Sequence, residues 1–161
     1  MENFVLKIVS TEEQIDELIT AGFDFSFRFH NNLQPVKEYI NKGLLLFCIF
    51  IKRELASMSW VAMSGKGRWY HPLPMNYENE AWIGDGVTNP KYRGLGLYSY
   101  LLSKIYEFLK KKGKSRARAT VRKNNIASQK AQVKSGSKIC GEGIYLKLVL
   151  QEIWRVYNRS K

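Results

Sequence analysis

The stretch Asn89-Pro90-Lys91-Tyr92-Arg93-Gly94-Leu95-Gly96 decides how this chain is read. It joins a strand-like run, Ala81 to Thr88, to an amphipathic stretch, Tyr98 to Lys112. In the second of these Leu101, Leu102, Ile105, Phe108 and Leu109 form one apolar stripe at helical spacing, and Gly113 closes it. A helix that opens on a glycine turn leaves its first amide groups without internal partners, at the positive end of its dipole. Gly94 and Gly96 carry no Cβ to hold an oxyanion away from the backbone. The segment therefore predicts a cradle for a phosphate or pyrophosphate, built from the amides of Leu95, Gly96, Leu97, Tyr98 and Ser99.

Outward from the cradle the chain alternates strand and helix signals. Phe4 to Val9 reads as a strand, followed by a helix capped by Ser10 with Glu13 and ended by Gly22. Pro35 opens a second short helix that Gly43 closes. Leu44 to Ile51 and Leu55 to Ala62 read as a hairpin joined by Lys52-Arg53-Glu54. Ser64 to Asn79 is a long loop of the kind that often carries binding residues. Beyond the central helix, Ser115 to Val121 is a strand and Asn125 caps a helix that stops at Gly136. Ile139 to Cys140 and Ile144 to Leu150 close the chain as strands. No repeat or linker interrupts this order, so residues 1–161 are expected to form one α/β domain with a mixed sheet.

Charge is concentrated behind the cradle. Residues 104–138 hold twelve Lys and Arg against Glu107 alone, a net +11 of the chain's +12. Such a field attracts a ligand with several negative charges. At 45% hydrophobic residues the chain is not a disordered polycation. Its longest apolar run, Leu44 to Ile51, is too short to span a bilayer as a helix, and Met1 to Val9 has no signal-peptide pattern. Cys48 and Cys140 lack metal-ligand spacing, as do His30 and His71, so reduced thiols in a cytoplasmic protein with no metal are expected.

The order of elements and the glycine turn together resemble the GCN5-related N-acetyltransferase (GNAT) superfamily. Its first motif is Gln or Arg, two residues, Gly, one residue, then Gly or Ala. Arg93 and Gly96 fill the first two fixed positions, and Tyr98 stands where Gly or Ala is usual. Val87, Pro90 and Tyr92 match the run before it, and Val121, Asn125, Ser128, Lys134 and Gly136 resemble the second signature. The likeness covers residues 80–140. It implies a mixed, mostly antiparallel sheet flanked by helices, with acetyl-CoA as cosubstrate and an amine, on a small molecule or a macromolecule, as acceptor. Backbone groups of Gly86, Val87 and Thr88 would pair with the pantetheine arm, Arg93 would add charge at the rim, and Asn125 and Ser128 would lie near the sulfur-bearing end.

Direct attack by an amine on a thioester needs a group to take the ammonium proton and donors for the oxyanion and the leaving thiolate. Asp85 is the first candidate base, expected on one pleat face with Ile83 and Val87, and Glu80 the second. Many family members carry Glu where this chain has Ile83. The family's thiolate-protonating Tyr falls on Gln132, so that role passes to no obvious residue; Tyr98 and Tyr145 are the available phenols. Trp69 and Tyr70 in the long loop are the expected acceptor contacts. Two other readings stand beside the enzyme: a basic nucleic-acid or ribosome-binding module, suggested by the +11 cluster, and a catalytically silent CoA-binding regulator, suggested by Gln132. The chain reads as a monomer or homodimer.

Overall fold

The computed structural model describes residues 4–30, 32–65, 74–147 and 152–158. Trp69, Tyr70 and His71, and the side chains of Tyr145 and Trp154, lie outside the described residues. Strand β1 (Phe4–Val9) is followed by helices α1 (Glu12–Thr20), α2 (Ser26–Phe29) and α3 (Gln34–Asn41). Strands β2 (Leu44–Ile51), β3 (Glu54–Ala62) and β4 (Glu80–Thr88) come next, then the cradle, helix α4 (Leu97–Lys111), strand β5 (Arg116–Arg118) and helix α5 (Ile126–Lys134). A hairpin of β6 (Gly141–Lys147) and β7 (Glu152–Asn158) ends the described chain.

The sheet runs β1-β2-β3-β4-β5, antiparallel throughout except for the parallel pair β4–β5. Strand β2 is apolar at every position because both of its faces are covered. On one face Leu46, Cys48, Phe50, Met58, Trp60 and Trp82 meet Ile15, Leu18, Val36 and Ile40 from α1 and α3. On the other, Phe47, Ile49, Val61 and Ile83 meet Leu101, Leu102, Ile105 and Leu109 from α4. Each of these buried aliphatic side chains contributes roughly 1.5–3 kcal/mol. Helix α4 is thus pinned across the sheet, and its first turn is held beside the end of β4.

Several sequence expectations are corrected. The first helix is capped one residue later, by Thr11 with Gln14, in a reciprocal capping box. Helix α2 carries no periodic signal, being four residues long. Glu54 belongs to β3, and the hairpin turn is Lys52-Arg53 alone, both in left-handed conformation. Strand β5 is only three residues, not the seven from Ser115 to Val121, because it separates from β4 after the pair Trp82–Arg118. Ile139 and Cys140 precede β6, and β7 replaces what reads as tail. Trp60 and Trp82, by contrast, are core residues as aromatic residues on strands usually are, 1% and 5% exposed.

The two arginines of β5 find their counter-charge in Glu80 at the start of β4, at 3.1 Å (Arg116) and 2.8 Å (Arg118). Burial raises the Glu80 pKa, but the Asn76 N–H bond and both guanidiniums outweigh it and leave the carboxyl below the usual glutamate range. Hydrogen bonds from Lys91 and Tyr92 likewise lower Glu54. Carboxylates depressed in the folded state add stability above their unfolded pKa, here 4.5, and lose it as pH falls through the folded value. Thermal unfolding is expected to be flat in pH above about 5 and to fall steadily below 4.5. Replacing both Glu54 and Glu80 with Gln should flatten that acid limb in a pH series of melting temperatures.

Candidate active site

The cradle is built as a loop held from below. Asn89 is buried, its Oδ1 accepts from the Lys91 N–H at 3.1 Å, and its own N–H donates to the Ala56 carbonyl. Pro90 to Tyr92 form a single tight helical turn. Glu54 of β3 gathers that turn: Lys91 Nζ lies 2.5 Å away, Tyr92 Oη 2.6 Å and Asn89 Nδ2 3.3 Å. Sequence inspection misses Glu54, because its partners lie 35 to 38 residues downstream. Glu54→Ala is expected to lower acetyl-CoA affinity about tenfold by loosening the turn, while leaving the α4 core intact. Calorimetric titration beside a thermal melt separates the two effects.

Above the turn, Gly94 (φ +82°) and Gly96 (φ +74°) adopt the left-handed conformation that disfavours other residues. A Cβ built on either glycine meets nothing within 4 Å. The loop is therefore open on the side its glycines face. Gly96 is the N-cap of α4 and offers no side chain to the first turn. Among the described residues, none of the N–H groups of Leu95 to Ser99 has a protein acceptor. Arg93 stands exposed at the rim, its Nε 3.4 Å from the Thr88 carbonyl. Open space, free donors and a guanidinium fit a diphosphate.

Beside the cradle, β4 carries a bulge. Trp60 pairs with Gly84 but Met58 with Val87, so the β4 side has one residue too many for its partner. Asp85 takes up the excess in left-handed conformation, at φ +47°. The bulge corrects the expected pleat. Ile83 packs under α4, Val87 packs on the opposite face, and Asp85 is drawn to α2, where its carboxylate meets Arg28 at 2.9 Å. Since β5 leaves after Trp82, residues Ile83 to Thr88 keep an edge free of β5. That open edge is where an amide-bearing arm can pair with Gly86, Val87 and Thr88.

The remaining candidates are spread more widely. Glu80 lies at the closed end of β4, roughly 16 Å along the strand from Asp85, and is occupied by Arg116 and Arg118. The structure does not bring the two carboxylates together. Asn125 is the α5 N-cap, its Oδ1 accepting from the Ser128 N–H at 3.1 Å. Ser128 is half-buried and Asn125 exposed. The basic cluster is partly spent within the protein: Lys104 on Glu107, Arg116 and Arg118 on Glu80, Lys114 on the Tyr77 and Glu78 carbonyls. Among the described residues no group of three His, Cys, Asp or Glu is placed to hold a metal, and no helix is long and apolar enough to cross a membrane.

Tyr98, in the first turn of α4, packs against the sheet. Its hydroxyl lies over Gly86, 2.1 Å from where a Cβ on that residue would stand. On the strand's other face the Trp82 ring covers Gly84 just as closely. Both glycines of Trp-Ile-Gly-Asp-Gly are thus demanded by an aromatic neighbour, a requirement that the strand pattern alone does not reveal. Burial pushes the Tyr98 phenol up to about 12.

The model of the Acetyltransferase (GNAT) family matches residues 23–136. No curated protein matches the chain. Among solved structures, the aminoglycoside 6'-N-acetyltransferase AAC(6')-Ih from Acinetobacter baumannii shares 13% identity, over 92% of this chain and 100% of the other, with a TM-score of 0.61. AAC(6')-Iy, solved with CoA, shares 12% identity over 89% of this chain and 98% of the other, with a TM-score of 0.64. A protein from Bacillus halodurans described as a transcriptional regulator shares 18% identity over 91% and 100%, with a TM-score of 0.62. At these identities the likeness is one of fold. The family match spans most of the chain and agrees with the glycine cradle and the open β4 edge: the chain belongs to the GNAT acetyltransferase family.

Proposed function

We propose that this GNAT acetyltransferase moves an acetyl group from acetyl-CoA to a cationic amine received at Asp85. Acetyl transfer from acetyl-CoA to an amine follows from the family; the placement of the two reactants is our reading. The amides of Leu95 to Ser99, with Arg93, hold the diphosphate, and the open edge of Gly86, Val87 and Thr88 aligns the arm that leads to the thioester. The arm then ends at the bulge, where Asp85 stands. The single observation that carries this reading is the left-handed Asp85 at φ +47°, a strained position that aims a carboxylate out of the strand beside the open edge.

Arg28 sits on that carboxylate at 2.9 Å, with the Arg28 side chain 41% exposed. A cationic acceptor takes Asp85 by displacing Arg28. The displaced guanidinium is then free to meet an acidic group on the same acceptor. Asp85 orients the amine and takes up its proton, and Asn125 and Ser128 flank the far side of the arm. Glu80 is a structural anchor of β5 in this reading. The buried free thiol of Cys48 supports a reducing, cytoplasmic setting. Acetyl-CoA titration followed by thiol release over a panel of amino sugars, amino acids and polyamines tests the assignment. Binding with release is expected. Absence of binding at high micromolar acetyl-CoA overturns the reading, and binding without release from any amine points to a CoA-binding regulator.

A further inference from the structure

Helix α5 is inside out for a helix at the rim of a domain. Such helices ordinarily turn an apolar stripe to the core and polar side chains to water. Here Gln132 is buried, its Oε1 accepting from Tyr106 Oη at 3.0 Å and Ser137 Oγ at 3.1 Å. Ser135 Oγ, at the end of the helix, donates to the Ala131 carbonyl at 2.7 Å and to the Ser99 carbonyl at 3.4 Å. Polar bonds therefore hold α5 against α4. The aliphatic side chains face away: Ile126 is 54%, Val133 57% and, just past the helix, Ile139 53% exposed. Ile126, Lys130, Val133 and Lys134 recur at helical spacing and share one face. With Gln129 and Ile139 they line one open depression. Exposed aliphatics gathered in one place, unlike single ones, mark an interaction surface.

Positive charge surrounds the same patch. No acidic residue occurs between Glu107 and Glu142. Of the twelve basic residues over 104–138, Lys104, Lys114, Arg116 and Arg118 are spent on Glu107, loop carbonyls and Glu80, and the other eight are exposed. Among the described residues Lys130 and Lys134 have no carboxylate partner. Lys123 precedes α5 and Lys138 follows it, both exposed. Lys123, with its side chain 92% exposed, reaches Glu142 only at 3.7 Å. Lys110 stands one helical turn beyond Tyr106, the α4 residue that bonds Gln132. Lysines thus flank the aliphatic patch at both ends of α5.

We propose that this face docks the protein on an anionic membrane surface. Ile126, Val133 and Ile139 enter the headgroup layer while the surrounding lysines meet lipid phosphate and carboxylate groups. The aliphatic and basic halves of the patch select this partner together. Nucleic acid would neutralise the lysines but sets a charged backbone against three aliphatic side chains. A second copy of the chain would cover the aliphatics but carries the same net +12. An anionic bilayer satisfies both, since a polybasic patch and a few inserted aliphatics are each marginal anchors and add when joined. The chain would lie on the bilayer: α5 has nine residues, and no described helix is long and apolar enough to cross one. Helix α5 packs on α4, on one face of the sheet, whereas α2, through Phe27 and Phe29, packs on the other. Docking through α5 therefore leaves Arg28 and Asp85 open to an acceptor arriving from water. Docking of this kind is independent of the acetyl-transfer reading above.

Cosedimentation with phosphatidylcholine vesicles carrying about 30% phosphatidylserine, beside pure phosphatidylcholine vesicles, tests the assignment at about 0.1 M salt. The full chain is expected to bind the anionic vesicles at least about tenfold more tightly than the neutral ones, and to lose most of that margin at about 0.5 M salt. Ile126→Ser combined with Val133→Ser should weaken binding about tenfold, and so should Lys130→Glu combined with Lys134→Glu. All four side chains are exposed, so both double variants should melt with the wild type. A polarity-sensitive dye on Cys140, exposed beside Ile139 while Cys48 is buried, should shift to the blue on anionic vesicles alone. Equal affinity for the two vesicles overturns the proposal. Full vesicle binding by the aliphatic double variant does the same, because a bare polycation of the nucleic-acid-binding kind needs no aliphatic residue. Displacement of the vesicles by saturating CoA would assign the face to the cofactor. A dimer in sedimentation velocity that the aliphatic double variant dissolves would assign it to a second copy, and either result overturns membrane docking.

Discussion

Gly94→Glu is expected to abolish acetyl-CoA binding, at least a hundredfold in dissociation constant, in a protein that still folds. Two effects add. Gly94 has φ +82°, so any side chain there carries a left-handed conformational cost of about 1–2 kcal/mol. The new side chain also has nothing within 4 Å of its Cβ to pack on, and so it enters the space that the free amides face. A carboxylate in that space would take the donors proposed here for the diphosphate and repel it. The α4 stripe of Leu101, Leu102, Ile105 and Leu109 is untouched, so cooperative thermal unfolding should persist. Gly96→Trp fills the same opening without the charge. Wild-type affinity in both variants would remove the cradle assignment, since no arrangement of the diphosphate over this turn survives both substitutions.

Asp85→Asn should leave acetyl-CoA affinity within about twofold and lower kcat/KM for the amine about a hundredfold. Asn is the conservative choice because it tolerates the left-handed backbone that the bulge imposes at φ +47°. The substitution removes the charge that draws a cationic acceptor and the group that takes its proton. It also frees Arg28, which loses its partner at 2.9 Å. Arg28→Ala gives the contrasting result: a simple amine no longer has to displace the guanidinium and binds more tightly, whereas an acceptor bearing an acidic group loses a partner. Steady-state kinetics over the two amine classes separates these outcomes. An Asp85→Asn enzyme with full kcat/KM would move the amine site elsewhere along β4.

Much of this site is legible in the chain because it is made of local signals. Gly94 and Gly96 mark a turn, the stripe from Leu101 to Leu109 marks the helix behind it, and their adjacency in sequence is their adjacency in space. The strands of the hairpin, Leu44 to Ile51 and Glu54 to Ala62, declare themselves by unbroken apolar character. The illegible parts depend on distant pairing. The reach of Glu54 to Lys91 and Tyr92 spans some 37 residues. The bulge at Asp85 is a mismatch between β3 and β4, so strict alternation along β4 puts Ile83 and Val87 on one face when they lie on two. The brevity of β5 follows from its departure from β4 rather than from anything in Ala119 or Thr120.

The amino-acid order by itself determined the cradle, the helix that opens from it and the family to which both belong, because backbone conformation at glycine and the period of apolar residues are properties of neighbours. Only the tertiary structure decided what surrounds the proposed reacting end. It put Arg28 on Asp85, Glu80 between two arginines, and the Tyr98 hydroxyl over Gly86. Those meetings are set by how the sheet twists, bulges and parts at β5, where side chains far apart along the chain come to share one small volume.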